Sequence, residues 1–138
     1  MMQINGLRFL VVEDQTFLRW VVGNLLRDLG AKSVLLAGDG NWALKLLAAP
    51  DPPVDVVIAD LDRPASDGAK LIYHLARRRH PAAVIAMSNR RGSPADGMDD
   101  VTSAFGIRFL GTIRKPPTAQ RLREILDADT PQLTRMTR

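Results

Sequence analysis

The stretch VVIADLDRPASDG, residues 56–68, carries the plainest signature of the fold. Val56, Val57, Ile58 and Ala59 run straight into Asp60 with no polar alternation. A strand with one wet face alternates, whereas a strand covered on both faces reads as an unbroken apolar run. Such strands belong to parallel sheets flanked by helices. The stretch also brings Asp60, Asp62 and Asp67 close to one strand end. Like charges gathered there repel, so the residues that predict the sheet also predict a cation or phosphate site at its edge.

On either side, short apolar runs alternate with helical periodicity. Upstream, RFLVV (8–12) reads as a buried strand, and Leu18, Val21, Val22, Leu25 and Leu29 recur at helical spacing before a stop at Gly30. SVLLA (33–37) is a second strand, GNWALKLLAA (40–49) a helix, and PDPP (50–53) the loop into the third strand, 54–60. Downstream, AKLIYHLARRR (69–79) predicts a helix and AAVIAMS (82–88) a fourth strand. Ser93-Pro94 reads as an N-cap followed by a first-turn proline, opening a helix through Met98, Val101 and Phe105. RFLGTI (108–113) is the fifth strand, and Leu122, Ile125 and Leu126 mark a last helix from about Thr118. The tail, 129–138, shows no periodicity and reads as a frayed end or linker stub, leaving residues 1–128 as the domain. The fold class is α/β: a doubly wound, five-stranded parallel sheet with helices on both faces.

Composition narrows the function. The 138 residues suit one domain, and the absence of cysteine excludes disulfides and thiolate chemistry. No apolar run approaches the ~18 residues of a membrane span, and the N-terminus lacks a signal-peptide layout, so a cytoplasmic protein is expected. The net charge of +4 invites a nucleic-acid reading. Yet RRRH (77–80) closes a helix, where positive charge complements the dipole, and aromatics make up only 5% of the chain. Direct nucleic-acid binding is not expected. Trp20 and Trp42 are expected in the core or between helices; His74 and His80 receive no catalytic role.

In open parallel sheets, ligands sit beyond the carboxyl ends of the strands. The residues just past each strand therefore make up the candidate site: Glu13-Asp14 after the first, Asp60 at the third, Ser88-Asn89 at the fourth, Lys115 after the fifth. Three carboxylates on one edge call for a divalent cation, and all-oxygen ligation suits Mg²⁺ or Mn²⁺. A carboxylate beside such a cation is a competent nucleophile toward phosphorus, giving an aspartyl-phosphate. The transferred group spreads charge over three oxygens, which the metal, the Lys115 ammonium and the Ser88 hydroxyl or backbone amides can each meet.

With these residues in place, the chain resembles the receiver domain of two-component response regulators over residues 6–128. Asp60, Pro64, Asp67 and Gly68 match the family's D-x-x-x-P-x-x-D-G context, and Lys115-Pro116 its Lys-Pro. The resemblance implies a flavodoxin-like receiver fold and Mg²⁺ bound through Glu13, Asp14, Asp60 and the Asp62 backbone carbonyl. It implies Asp60 as phosphoacceptor, with Ser88 and Lys115 assisting, in a signalling domain rather than an enzyme. The implied partners are a sensor histidine kinase or phosphotransfer protein and an output domain or partner protein, with homodimerisation open.

The sequence also departs from that pattern. Asn89 replaces the usual small residue, and Thr112 stands where a switching aromatic is common. The segment between Gly106 and Lys115 is about two residues longer than is usual in the family, so Phe109 is a candidate substitute for that aromatic. Two alternatives arise: a degenerate receiver that binds partners without phosphorylation, and a phosphatase, since ADLD (59–62) resembles the D-x-D motif of haloacid-dehalogenase-type enzymes. FGIRFLGTIRKPPTAQRLREIL (105–126) is similar to receivers that precede EAL-type cyclic-di-GMP phosphodiesterase domains. No output domain is expected within the chain, which reads as a stand-alone receiver or an N-terminal module.

Overall fold

The structure, a computed structural model, describes residues 4–48, 53–60, 67–89 and 106–136. The described strands are β1 (Arg8–Val12), β2 (Ser33–Ala37), β3 (Val56–Asp60), β4 (Ala83–Met87) and β5 (Phe109–Ile113). They form one sheet in the order β2-β1-β3-β4-β5, every neighbour parallel. The described helices are α1 (Thr16–Asp28), α2 (Gly40–Ala48), α3 (Asp67–Arg78) and α4 (Ala119–Met136). The helix expected after Ser93-Pro94 lies outside the described residues.

Alternate strand residues feed two cores, one on each face of the sheet. Phe9, Val11, Val56, Ile58, Ile85 and Met87 pack with Val22 and Leu26 of α1 and Leu122 and Leu126 of α4. Leu10, Val12, Val57, Ala59, Val84 and Ala86 pack with Ala43 of α2 and Leu71 and Leu75 of α3. Helices on both faces leave no wet side, which is why VVIA carries no polar residue. The sheet winds outward in both directions from β1, so its topological switch point lies between β1 and β3.

Two helices end in the same way with different residues. After α1, Gly30 N–H donates to Arg27 O and Ala31 N–H to Leu26 O, with Gly30 in the left-handed region at φ 96°. After α3, Arg79 N–H donates to Ala76 O and His80 N–H to Leu75 O, with Arg79 at φ 51°. Both are Schellman closures, but an L residue in this conformation costs about 1–2 kcal/mol that glycine avoids.

Two expectations need correction. The helix α4 continues to Met136, through the segment expected to be a frayed tail. Ala128, Gln132, Leu133 and Arg135 are strong helix formers that favour this extension, although Pro131 has no N–H to donate and leaves one helical hydrogen bond unmade. Trp20 and Trp42 are not core residues; they are 59% and 51% exposed. Trp20 lies about 200° around α1 from both Leu18 and Val22, at about 100° per residue, so it faces water and stacks on Phe17. Trp42 is off the Gly40–Ala43–Leu47 stripe of α2 and has the Lys45 ammonium over its ring.

Candidate functional site

Strand register assembles the site. Val12 pairs with Ala59, so one step further Glu13 stands level with Asp60. Asp60 pairs with Met87, which sets Ser88 one step beyond it, and Met87 pairs with Ile113, from which the chain leads to Lys115. Glu13, Asp14 and Asp60 each offer a carboxylate oxygen, and these oxygens all lie within 4.8 Å of one another. The Lys115 Nζ lies 2.9 Å from Asp60 Oδ1 and 3.9 Å from Glu13 Oε1. The expected acids and amine thus converge on one edge. Asp62 falls outside the described residues.

The setting of Glu13 is unusual for an acid. Its side chain is fully buried, and while Oε2 accepts the Gln15 N–H at 3.0 Å, Oε1 has no hydrogen-bond partner among the described residues. Burial pushes its pKa up to about 7, with Asp14 and Asp60 adding to the rise; the Gln15 N–H and Lys115 oppose it. A buried carboxylate with an unsatisfied oxygen, gathered with two more carboxylates, is the donor set a hard divalent cation takes. The residues present therefore fit Mg²⁺.

Three supports hold these groups in place. Ser88 is buried, and its N–H donates to Ile113 O, tying the end of β4 to β5. Asn89, which departs from the small residue expected there, accepts the Lys115 N–H on Oδ1 at 3.1 Å. Its side chain thus ties the β4 end to the loop that carries the amine. The third support was missed in the sequence: Arg19 Nη1 donates to the Glu13 carbonyl at 2.8 Å from the first turns of α1. Gly38 makes room for it, since a Cβ there would lie 2.9 Å from Arg19 Nη1. An arginine close behind an acidic pair was the available signal.

The substitute-aromatic expectation fails. Phe109 pairs with Val84, at the far end of β5 from Lys115 and about 13 Å of strand below the level of Ser88. One residue of the added length is taken up by a bulge at Leu110, because Phe109 and Gly111 face consecutive residues Val84 and Ile85. Thr112, opposite Ala86, remains the residue nearest the usual aromatic position.

Residues 9–127 match the family model described as the response regulator receiver domain. Among curated proteins, the chain is 31% identical over 126 residues to chemotaxis protein CheY-3 of Vibrio cholerae, covering 88% of this chain and 90% of that one. It is 32% identical to the Regulator of RpoS of Escherichia coli and 29% identical to the cyclic di-GMP phosphodiesterase RocR of Pseudomonas aeruginosa, over 89% of this chain. It spans about a third of those two, 34% and 31% of their lengths. Similar solved structures include the signal receiver domain of an HD domain-containing protein from Pseudomonas fluorescens, at TM-score 0.73, 22% identity, and 93% and 97% coverage of the two chains. Vibrio cholerae CheY4 gives TM-score 0.70 at 23% identity, covering 88% and 97%.

Proposed function

The chain belongs to the response regulator receiver family, and we propose that it is a phosphorylation-controlled interaction module whose acceptor is Asp60. The observation that carries this reading is the Lys115–Asp60 contact at 2.9 Å, set against the three-carboxylate cluster. Glu13, Asp14 and Asp60, with the Asp62 carbonyl, are the residues that would hold Mg²⁺. The cation supplies charge neutralisation at the phosphoryl oxygens.

In the proposed transfer, an Asp60 carboxylate oxygen attacks phosphorus, the N–P bond of a donor histidine breaks, and the imidazole leaves as the O–P bond forms. Lys115 gives up its contact with the carboxylate and meets a phosphoryl oxygen, and the Ser88 hydroxyl meets another. Those two contacts differ between the phosphorylated and free states, which is what a phosphoryl group needs to shift a conformational equilibrium. A sensor histidine kinase or phosphotransfer protein is the proposed donor, in the cytoplasm. No described helix is long and apolar enough to cross a membrane.

The output is a partner protein or a further domain. CheY-3 is nearly all receiver by coverage, whereas the matched region is a third of RocR, whose name gives it a phosphodiesterase activity. The family match over residues 9–127 removes the ground for the haloacid-dehalogenase reading. The degenerate-receiver reading retains two supports, Asn89 in place of the usual small residue and Thr112 in place of the usual aromatic. A beryllofluoride titration with Mg²⁺, followed by amide NMR, separates the two. A functional acceptor gives saturable shifts at Asp60, Ser88 and Lys115 that vanish in Asp60→Asn. A degenerate receiver binds Mg²⁺ yet shows no beryllofluoride response.

A further inference from the structure

We propose that the end of the sheet opposite the acidic edge holds a binding site for a small organic oxyanion, with Arg79 as its principal anchor. A pocket of about 300 Å³ opens there, lined by Leu75, Arg79, His80, Pro81, Gly106 and Ile107. That volume suits a small ligand, at the low end of the usual range. Leu75, Pro81 and Ile107 give it apolar walls; Arg79 and His80 give it donors.

The donor chemistry is one-sided. Arg79 offers N–H groups and no acceptor. His80 Nδ1 accepts the Ala82 N–H at 3.1 Å, which leaves the ring proton on Nε2 as a donor. Burial and the charge of Arg78 both hold His80 below its usual pKa, so it stays a neutral donor near neutral pH. Arg77, Arg78 and Arg108 add positive charge around this end of the sheet. An acid at the same end, Asp55, is occupied by the Arg8 N–H at 2.8 Å.

The backbone points the same way. Arg79 occupies the left-handed position of a closure that α1 completes with glycine. An arginine held in a conformation that costs it stability, on the wall of a pocket, is accounted for by a ligand for its guanidinium. Its placement is independent of the phosphoacceptor site, so either can fail alone.

The test is amide NMR on the full chain with three probes: phenyl phosphate, benzoate and inorganic phosphate. The expected result is saturable shifts at Arg79, His80, Ala82 and Ile107 from the two aromatic anions, weaker for inorganic phosphate, which has no apolar body. Whichever aromatic anion binds more tightly identifies the head group. Arg79→Gly suits the closure and should weaken binding about tenfold, the loss of one charge-assisted hydrogen bond. Arg123→Gln, which removes an exposed arginine from α4, should change nothing. Equal binding by Arg79→Gly and the wild type overturns the proposal, and so does equal weakening by Arg123→Gln, which marks a general charge effect.

Discussion

Replacing Glu13 by glutamine should stabilise the metal-free protein, and only at higher pH. Its folded-state pKa is raised from 4.5 to about 7. Between those values the folded chain keeps a proton that the unfolded chain releases, so stability falls as pH rises through the window. That rise corresponds to about 3 kcal/mol, at about 1.36 kcal/mol for each tenfold change in proton affinity. Glutamine keeps an acceptor for the Gln15 N–H and carries no charge, so it escapes the loss. Urea unfolding in a chelator should show wild type and Glu13→Gln close together at about pH 5 and separated by about 2 to 3 kcal/mol at about pH 8. Excess Mg²⁺ should lift the wild type at the higher pH more than it lifts Glu13→Gln, which keeps Asp14 and Asp60 but has lost one carboxylate of the cluster. Parallel pH profiles for the two proteins would refute a destabilising buried carboxylate at position 13, and equal Mg²⁺ responses would remove Glu13 from the metal site.

Arg79→Gly should raise the thermal midpoint, with a gain of about 1 kcal/mol from relief of the left-handed arginine; calorimetry checks it, and a loss would show that the side chain contributes more than the backbone costs. Gly38→Ala should push Arg19 off the Glu13 carbonyl and weaken Mg²⁺ binding several-fold with little loss of stability, read by amide shifts on titration; unchanged affinity would make that clamp dispensable. Phe109→Ala should leave the beryllofluoride response at Ser88 and Lys115 intact, because the ring sits at the far end of β5; a lost response would restore Phe109 to the switch.

The central architecture was legible because both-face burial leaves a direct mark on composition. VVIA, RFLVV and AAVIAM carry no alternation, and the first two strands fall on the residues their apolar runs predicted. The site was legible because strand ends in a parallel sheet are fixed by register, so Glu13, Asp60 and Lys115 converge once the strands are placed. What escaped depends on side-chain reach and local packing. The Arg19 bond to Glu13 crosses six residues and requires the missing Cβ of Gly38 in another element. The bulge at Leu110 takes up one residue of sequence length, which spacing alone cannot locate. Trp20 and Trp42 escape any reading that weighs residue type ahead of helical phase. Past Leu126 the last helix lacks an apolar stripe, so its continuation leaves no periodic signal.

Mass spectrometry gives the sharpest test of phosphorylation at Asp60. The chain is incubated with acetyl phosphate and Mg²⁺, trapped by borohydride reduction of the acyl phosphate, digested and sequenced by fragmentation. Attack by an Asp60 oxygen beside the Lys115 ammonium requires the reduced residue at position 60, its loss in Asp60→Asn, and its absence when Mg²⁺ is chelated. A modification that persists in Asp60→Asn, or a chain that binds Mg²⁺ yet takes no phosphoryl group from any small donor, would overturn Asp60 as the acceptor.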